Sequence, residues 1–458
     1  MDYKKVMEKY KDESLKELKG IININSVYDE TTVDIKNNKP YGEGVYKALC
    51  FWKDLALKNG FNVDFCDGHA LEIQYGDPST RTIGVFAHTD VVPISGKWED
   101  DPFSGVIKNN RMYGRGTSDD KGPAMASFYA LKALKENGLI KGYNVKLVLG
   151  GDEERGSSCL EYYFHKLHKK DVDYGFTPDG DFPLIFGEKG ISNYVVGGKT
   201  SLKNIISMKA GLAPNIVIDS MVVTLKDYEP LLKYLAEHKE IKYEIVKQEK
   251  DMLTINFIGK AAHGSTPELG NNSAVIAFKV LGEVYDIKTL KMLGKQYSDY
   301  NGKTLNEYFV TKNMGVTTYN VGMVDYKDKV FKMVVNFRYP ENVDAKKVCD
   351  EINEISPLPI KLLGSSPVLY FDPETPFIKK LYDVYVRETK DTLNKPMTIG
   401  GGTYAKEAKN IVAFGSKFPG KVDYIHEANE KIDLEDFFNS MPIYMDAIYT
   451  LGTFIDED

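Results

Sequence analysis

Residues 143–154 read Tyr143-Asn-Val-Lys-Leu-Val-Leu-Gly-Gly-Asp-Glu-Glu154, an apolar run that ends in three acids. A short apolar run of this kind, closed by glycines, is typical of a buried strand. If the chain stays extended beyond the strand, neighbouring side chains point to opposite sides. Glu153 and Glu154 are then predicted to serve different purposes, one facing a metal ion and the other facing a reacting water.

The segments around this strand alternate between helical and extended patterns. Apolar spacing predicts helices over residues 42–59, 122–137 and 157–169, and strands over residues 71–75 and 82–87. Alternation of this kind predicts an α/β sheet, whose ligands bind at the carboxyl ends of its strands. The acids that follow residue 151 would lie at such an end.

The character of the chain changes after residue 188. From residue 189 to residue 371 the predicted strands are shorter and rich in Val, Ile, Thr and Tyr, with helices between them, whereas residues 372–458 return to helices and a Gly-rich turn. A length of 458 residues also favours two domains or more. We therefore predict a catalytic domain formed by residues 1–188 and 372–458, with residues 189–371 inserted as a second domain.

Composition excludes several classes of protein. The net charge of -7 disfavours nucleic acid as a partner, because a basic surface is its usual footprint. No stretch approaches the roughly 20 apolar residues of a membrane span, and the first residues lack the apolar core of a secretory signal. The four cysteines form no Cys-x-x-Cys pair, which disfavours a thiolate metal site or a disulfide scaffold. These features predict a cytoplasmic protein with reduced thiols and no membrane partner.

His88-Thr-Asp90 directly follows the predicted strand over residues 82–87. Residues two apart share a face of an extended chain. A metal-bound imidazole usually donates its other N–H to an acceptor that fixes its tautomer, and Asp90 is a candidate for that acceptor. A strand-end histidine followed by a capping aspartate explains the segment equally well.

Residues 113–122, Tyr113-Gly-Arg-Gly-Thr-Ser-Asp-Asp-Lys-Gly122, form a Gly-rich turn with two acids before a predicted helix. An acidic helix cap accounts for one of the aspartates but less well for the whole segment. A phosphate-binding loop is disfavoured, because the GxxxxGK[ST] order is absent and two acids would repel a phosphate.

Taken together, four motifs resemble those of the M20 family of metallopeptidases in their order and spacing. They are His88-x-Asp90, Gly114-Arg-Gly-Thr-Ser-Asp-Asp-Lys-Gly122, Asp152-Glu-Glu154 and Thr177-Pro-Asp179. The segment Phe182-Pro-Leu-Ile-Phe-Gly-Glu-Lys-Gly190 and the large insertion resemble the PepV-like dipeptidase branch. This resemblance implies a zinc-peptidase type of catalytic domain, with a mixed central sheet flanked by helices, and an inserted α+β lid domain.

The resemblance also implies two divalent metal ions, with Zn²⁺ expected and Mn²⁺ or Co²⁺ compatible with the same ligands. It implies that Asp119 is the carboxylate that bridges the two metals. In this assignment His88 and Asp179 bind one metal, and Glu154 and His426 bind the other. Glu153 is then the general base, and Asp90 orients His88. In this assignment the two adjacent glutamates have separate tasks, as their adjacency had suggested.

Further residues are matched to the family's lid and substrate site. The resemblance implies that His263 stabilises the oxyanion and that Arg338 binds the substrate's C-terminal carboxylate, for which a planar guanidinium is well suited. It also assigns substrate contacts to Asn215, Gly401, Gly402 and Thr403. Each of these features also has a purely structural explanation: a turn histidine for His263, a strand salt bridge for Arg338, and an ordinary loop for Gly401 and Gly402.

We therefore predict a dinuclear-metal dipeptidase that cleaves unblocked dipeptides, with a small peptide as its partner. In the dipeptidase branch the enlarged lid takes the place of a partner subunit, which predicts a monomer whose lid closes on the substrate. The alternatives are another amidohydrolase, either an N-acyl amino acid deacylase or a carboxypeptidase, and a non-catalytic protein that binds metal or peptide.

Overall fold

A computed structural model describes residues 1–422 and 424–455, and the chain divides into two compact units. Unit 1 comprises Met1–Phe186, Phe371–Met397 and the residues from Thr403 onward. Unit 2 comprises Gly187–Tyr370 and Thr398–Gly402.

Helices occur in both units. In chain order, the α-helices of the described residues are α1 (Tyr3–Met7), α2 (Lys11–Ile22), α3 (Glu43–Lys58), α4 (Lys121–Glu136), α5 (Ser158–Glu161), α6 (Glu229–Glu237), α7 (Ser273–Tyr285), α8 (Lys288–Gln296), α9 (Ala345–Ile355), α10 (Pro376–Thr389) and α11 (Leu434–Thr453). Where a single helix was predicted over residues 157–169, α5 gives way to a π-helical turn over Tyr162–Lys166. Within the described ranges, none of these helices is both long and apolar enough to cross a membrane.

Strands also occur in both units. In chain order they are β1 (Asn62–Asp64), β2 (Ala70–Gly76), β3 (Arg81–His88), β4 (Val106–Lys108), β5 (Arg111–Tyr113), β6 (Tyr143–Gly150), β7 (Tyr174–Thr177), β8 (Ile185–Glu188), β9 (Gly190–Lys199), β10 (Ile205–Ala210), β11 (Ser220–Leu225), β12 (Tyr243–Glu249), β13 (Met252–Ile258), β14 (Val310–Thr311), β15 (Gly315–Val316), β16 (Thr318–Lys327), β17 (Val330–Tyr339), β18 (Ile360–Ser366), β19 (Leu369–Tyr370), β20 (Met397–Ile399), β21 (Ile411–Ala413) and β22 (Lys431–Asp433).

The central sheet of unit 1 runs in the order β1-β2-β6-β3-β7-β21, with Ile185 of β8 beside Ala413 of β21. Strands β6, β3, β7 and β21 are parallel to one another, whereas β1, β2 and β8 pair antiparallel. Strand β6 is buried along its whole length, as its apolar sequence requires. The α/β class and the mixed central sheet predicted from the sequence are confirmed.

The parallel strands place their following residues at one edge of the sheet. His88 is the last residue of β3, Glu154 follows the end of β6, and Asp179 follows the end of β7. Because β6, β3 and β7 are neighbours and run in the same direction, these three side chains emerge side by side. A smaller sheet in the order β22-β5-β4 also belongs to unit 1.

The chain does not stay extended through the two glutamates. Strand β6 ends at Gly150, and residues 153–156 form a turn in which the Gly156 amide donates to the Glu153 carbonyl (3.0 Å). The expected alternation of neighbouring side chains therefore does not apply at Glu153 and Glu154. A turn forms here because the strand has lost its neighbours and Gly156 supplies a positive φ of 110°.

Unit 2 contains an antiparallel eight-stranded sheet in the order β12-β13-β11-β10-β16-β17-β9-β18. Buried and partly exposed residues alternate along β9 and β13, as expected for a sheet covered on one face. Helix α7 packs against β11, β13 and β16 and contributes to the core of this unit.

Candidate metal centre

Two groups of potential metal ligands meet in unit 1. The first consists of His88, Asp119 and Asp179, and the second consists of Asp119, Glu154 and His426. In each group the donor atoms lie within 4.8 Å of one another. All five residues were singled out in the sequence for metal binding, and the fold brings them together from positions as far apart as 88 and 426.

Asp119 lies between two imidazoles. Its Oδ1 is 2.9 Å from His88 Nε2, and its Oδ2 is 3.0 Å from His426 Nε2. Burial acts to raise the pKa of Asp119, but the hydrogen bonds with His426 and His88 hold that pKa below its usual range. Asp119 is thus an ionised carboxylate with one oxygen directed to each half of the site.

His88 is completely buried. Contacts to its ring and from its backbone amide fix its orientation. Its Nδ1 lies 3.0 Å from the main-chain oxygen of Asp90 and 3.4 Å from the Asp90 carboxylate. Its own amide donates to Asp120 Oδ2 (3.1 Å). These contacts leave Nε2 facing Asp119 and Asp179, which is the arrangement a metal-binding imidazole requires.

The Asp90 carboxylate has a role that the sequence did not reveal. One oxygen accepts from the amide of Glu153 (3.1 Å), and the other accepts from the amide of Glu154 (3.2 Å). Asp90 therefore holds the turn that carries both glutamates, in addition to contacting His88. The sequence pattern suggested only the second of these functions, because the turn partners are more than 60 residues away.

His426 completes the second group from the C-terminal part of the chain. Its Nε2 is 3.1 Å from Glu154 Oε2, and its backbone has a φ of 61°, a left-handed conformation that is uncommon for a residue other than glycine. Hydrogen bonds with Asp119 and Glu154 raise the pKa of His426 to about 11. This unusual backbone at a candidate ligand is typical of a functional position.

Glu153 lies beside these ligands. Burial raises the pKa of its carboxyl group well above the usual range, although the charge of His88 opposes this. A carboxyl group whose affinity for a proton is raised by its surroundings is suited to accept and return one. The structure therefore places a potential proton carrier next to the two ligand groups.

Glu430 is a site residue that the sequence analysis did not assign. Its Oε1 accepts from the amides of Gly116, Ser118 and Asp119 at 3.0, 2.9 and 3.3 Å, and its Oε2 accepts from Arg115 Nη1 at 2.7 Å. One buried carboxylate thus holds the whole loop that carries Asp119. Its position four residues after His426 was the available signal, but its partners lie more than 300 residues away.

A second unassigned residue, Tyr404, lies close to the site. Its ring centre is 6.0 Å from that of His88, and its hydroxyl lies 2.9 Å from Cys159 Sγ. A Cβ added to Gly150 would lie 2.0 Å from this hydroxyl, so the strand end must carry a glycine there. Tyr404 closes the apolar side of the centre.

In unit 2, His263 and Asn215 lie on adjoining loops. The amide of Gly264 donates to the Asn215 carbonyl (2.7 Å), and residues 216 and 263 form an antiparallel bridge. His263 Nδ1 lies 2.6 Å from Ser265 Oγ, and the side chain is exposed. Partial desolvation and the charge of Arg338 lower the pKa of His263, which favours the neutral imidazole.

Arg338 is buried in unit 2 beside the Gly-rich segment. Its Nη1 donates to the carbonyl of Gly400, and its Nε donates to Asn336 Oδ1 (2.9 Å). Gly401 and Gly402 directly follow Gly400 in the same unit. Thr403, in contrast, belongs to unit 1, where its hydroxyl accepts from the amide of Ala405 (3.1 Å) and begins a helical turn.

The donor set of unit 1 fits a pair of hard or borderline divalent ions. It offers imidazole nitrogens and carboxylate oxygens without a thiolate, in two groups that share one carboxylate. The ligands are also held by neighbouring side chains, as Asp90 holds Glu154 and Glu430 holds Asp119.

The family model for peptidase family M20/M25/M40 matches residues 84–450. The chain is 32% identical to a protein of Staphylococcus aureus (strain MRSA252) whose name gives dipeptidase as its provisional activity, over 98% of this chain and 99% of that protein. Among solved structures, it resembles an M20 family metallo-carboxypeptidase from Sulfolobus solfataricus (TM-score 0.59, 19% identity, 96% and 99% of the two chains). It also resembles human carnosine dipeptidase 1 (TM-score 0.59, 13% identity, 98% of each chain).

Proposed function

Because the chain belongs to the M20/M25/M40 family of peptidases, we propose that it is a dipeptidase that hydrolyses unblocked dipeptides with the help of two divalent metal ions. The observation that carries this proposal is the position of Asp119, which offers one carboxylate oxygen to each of two ligand groups. The dipeptidase activity, rather than another peptidase activity, is favoured by the full-length similarity to the S. aureus relative.

His88 and Asp179 would hold one ion and Glu154 and His426 the other, with Asp119 shared between them. Zn²⁺ is the ion we expect, and Mn²⁺ and Co²⁺ suit the same ligands. When bound, such a pair polarises the scissile carbonyl and makes an attacking water more acidic.

Glu153 is the proton carrier in this proposal. Its carboxylate accepts a proton from the attacking water and then donates it to the leaving amine nitrogen. The turn held by Asp90 carries both glutamates, and in this proposal Glu153 transfers the proton while Glu154 remains a ligand. Asp90 further orients His88 through its main-chain oxygen.

Unit 2 would supply the contacts to the substrate and act as a lid. His263 is proposed to donate to the developing oxyanion, which a neutral imidazole can do through one ring N–H. Arg338, Asn215, Gly401 and Gly402 are proposed to bind the substrate's C-terminal carboxylate and the nearby carbonyl, together with Thr403. We further propose that the enzyme acts as a monomer in the cytoplasm and that domain 189–371 closes over domain 1–188 and 372–458 during turnover.

A substrate panel tests this function. Metal-stripped protein reconstituted with Zn²⁺, Mn²⁺ or Co²⁺ is offered a free dipeptide, its N-acetylated form, and its C-terminal amide. We expect rapid hydrolysis of the free dipeptide only. Preference for the N-acetylated form would identify a deacylase or carboxypeptidase instead. Metal binding without hydrolysis of any of these would favour a non-catalytic protein.

A further inference from the structure

A cavity of about 310 Å³ lies in unit 1 beside Asp179, one of the proposed metal ligands. Its walls come from the segments 416–422 and 424–425, from strands β5 and β22, and from the residues that follow β7. The size is at the lower end of the range for small-molecule sites and is sufficient for one amino-acid side chain. None of the residues assigned to catalysis in the proposed function occupies this cavity, apart from Asp179 at its edge.

Most of the charged groups that line the cavity neutralise one another. The ion pairs span 2.5 to 3.2 Å and join Arg111 to Asp433, Lys421 to both Asp433 and Asp436, and Lys417 to Asp181. Paired groups of this kind form the wall but have little remaining affinity for a charged ligand.

Lys431 differs from the other basic residues of the cavity. Its Nζ lies 3.8 Å from the centre of the Tyr424 ring and 5.4 Å from that of Tyr113. Among the residues that the structure describes, no carboxylate forms an ion pair with it. An ammonium group held over aromatic rings remains available to an anion from outside.

The position of Lys431 is well defined by its backbone. Ser118 Oγ donates to the Lys431 carbonyl (2.8 Å), and Lys431 pairs with Tyr113 in the β22-β5 ladder. Ser118 directly precedes Asp119, and both Ser118 and Asp179 line the cavity together with Lys431. A side chain that reaches Lys431 in this cavity therefore lies beside the two ligand groups.

We propose that this cavity receives the side chain of the substrate's N-terminal residue and that Lys431 makes the enzyme prefer glutamate or aspartate there. The inference rests on the proposed dipeptidase function. The C-terminal carboxylate is assigned to Arg338 in unit 2, so the acid recognised in unit 1 is a side-chain carboxylate. A carboxylate gains a charge-assisted hydrogen bond from the ammonium, whereas the isosteric amide of glutamine gains only a weaker one.

Binding measurements separate this preference from catalysis. The dipeptides Glu-Leu and Gln-Leu are titrated calorimetrically into Zn²⁺-reconstituted protein that carries Glu153→Gln, which prevents turnover. We expect Glu-Leu to bind about ten-fold more tightly, as one charge-assisted hydrogen bond would provide. The preference should disappear when Lys431→Met is added and should persist with Lys431→Arg. Lys421→Met, which removes a paired lysine from the same cavity, serves as the control and should retain the preference.

Other results would overturn the inference in distinguishable ways. Equal affinities for Glu-Leu and Gln-Leu before any change at Lys431 would refute the preference and leave the dipeptidase function intact. An equal loss of affinity for both peptides in Lys431→Met would show that this lysine binds a group common to them, such as the C-terminal carboxylate. Failure of the protein to bind either dipeptide would refute the proposed function and, with it, this inference.

Discussion

The candidate metal centre of unit 1 and the candidate substrate residues of unit 2 are built in different ways. The candidate ligands of unit 1 follow parallel strands or are held by buried carboxylates, and within each group their donor atoms lie within 4.8 Å of one another. In unit 2, His263 is exposed on a loop, and its ring contacts the nearby Ser265 hydroxyl. The comparison shows that side chains at strand ends are held in place by the fold, whereas an exposed loop side chain is held by fewer contacts.

The largest effect is expected from Asp119→Asn. Asp119 belongs to both ligand groups, so its replacement should remove both ions and all measurable hydrolysis. Glu154→Ala, which affects one group only, should retain one ion per chain. Metal content measured by mass spectrometry after dialysis distinguishes the two variants. Retention of two ions by Asp119→Asn would contradict the proposal that Asp119 is a ligand of both ions.

Glu153→Gln should separate chemistry from metal binding within unit 1. We expect kcat to fall by about 10²–10⁴-fold, the usual contribution of a general base. Metal content should remain that of the unmodified protein, because Glu153 belongs to neither ligand group. Steady-state kinetics and metal analysis on the same preparation test this. Loss of an ion from this variant would mean that the roles of Glu153 and Glu154 are exchanged or shared.

His263→Ala tests whether a residue of unit 2 takes part in catalysis without affecting the metal ions. If His263 donates to the oxyanion, its loss should lower kcat by about 10²–10³-fold without a change in metal content. The matched control is His238→Ala, because His238 also belongs to unit 2 and stacks on Tyr234. An effect on metal affinity, or a similar loss of kcat in the control, would be inconsistent with this role.

The smallest effect is expected from Glu430→Gln. An amide is a weaker acceptor for the three backbone donors and for Arg115, so the loop that carries Asp119 should be held less firmly. We expect metal affinity to fall by about 10–100-fold, as is common for residues that support metal ligands. Competition with a chelator measures the change, and Glu435→Gln, at an exposed position in the first turn of α11, is the control. A metal affinity of Glu430→Gln equal to that of the control would show that Glu430 does not support the metal ligands.

Local patterns in the sequence predicted much of unit 1. The predicted strands over residues 71–75, 82–87 and 143–149 and the predicted helix over residues 122–137 agree closely with the structure, because buried apolar runs and helical spacing are local signals. The chain between residues 157 and 169 was less predictable, since the choice between α and π turns depends on packing.

The candidate site was predictable in its residue types but not in its contacts. Asp90 illustrates this, because its position two residues after His88 suggested one partner, and its bonds to the amides of Glu153 and Glu154 became apparent only in the folded chain. Glu430 illustrates the same point more strongly, because its position four residues after His426 was the available local signal and its partners lie more than 300 residues away. Resemblance to a family predicted the candidate ligands, but not the residues that hold them in place.

By itself, the sequence determined the α/β class, the membership of a peptidase family and the kinds of donor at the centre, because strand patterns and short motifs are properties of neighbouring residues. Only the tertiary structure decided that Asp119 lies between two imidazoles, that Glu430 holds its loop, and that Lys431 lacks a carboxylate partner among the described residues. These features include contacts between segments more than three hundred residues apart, where hydrogen bonding and charge are set by the fold rather than by the adjacent sequence.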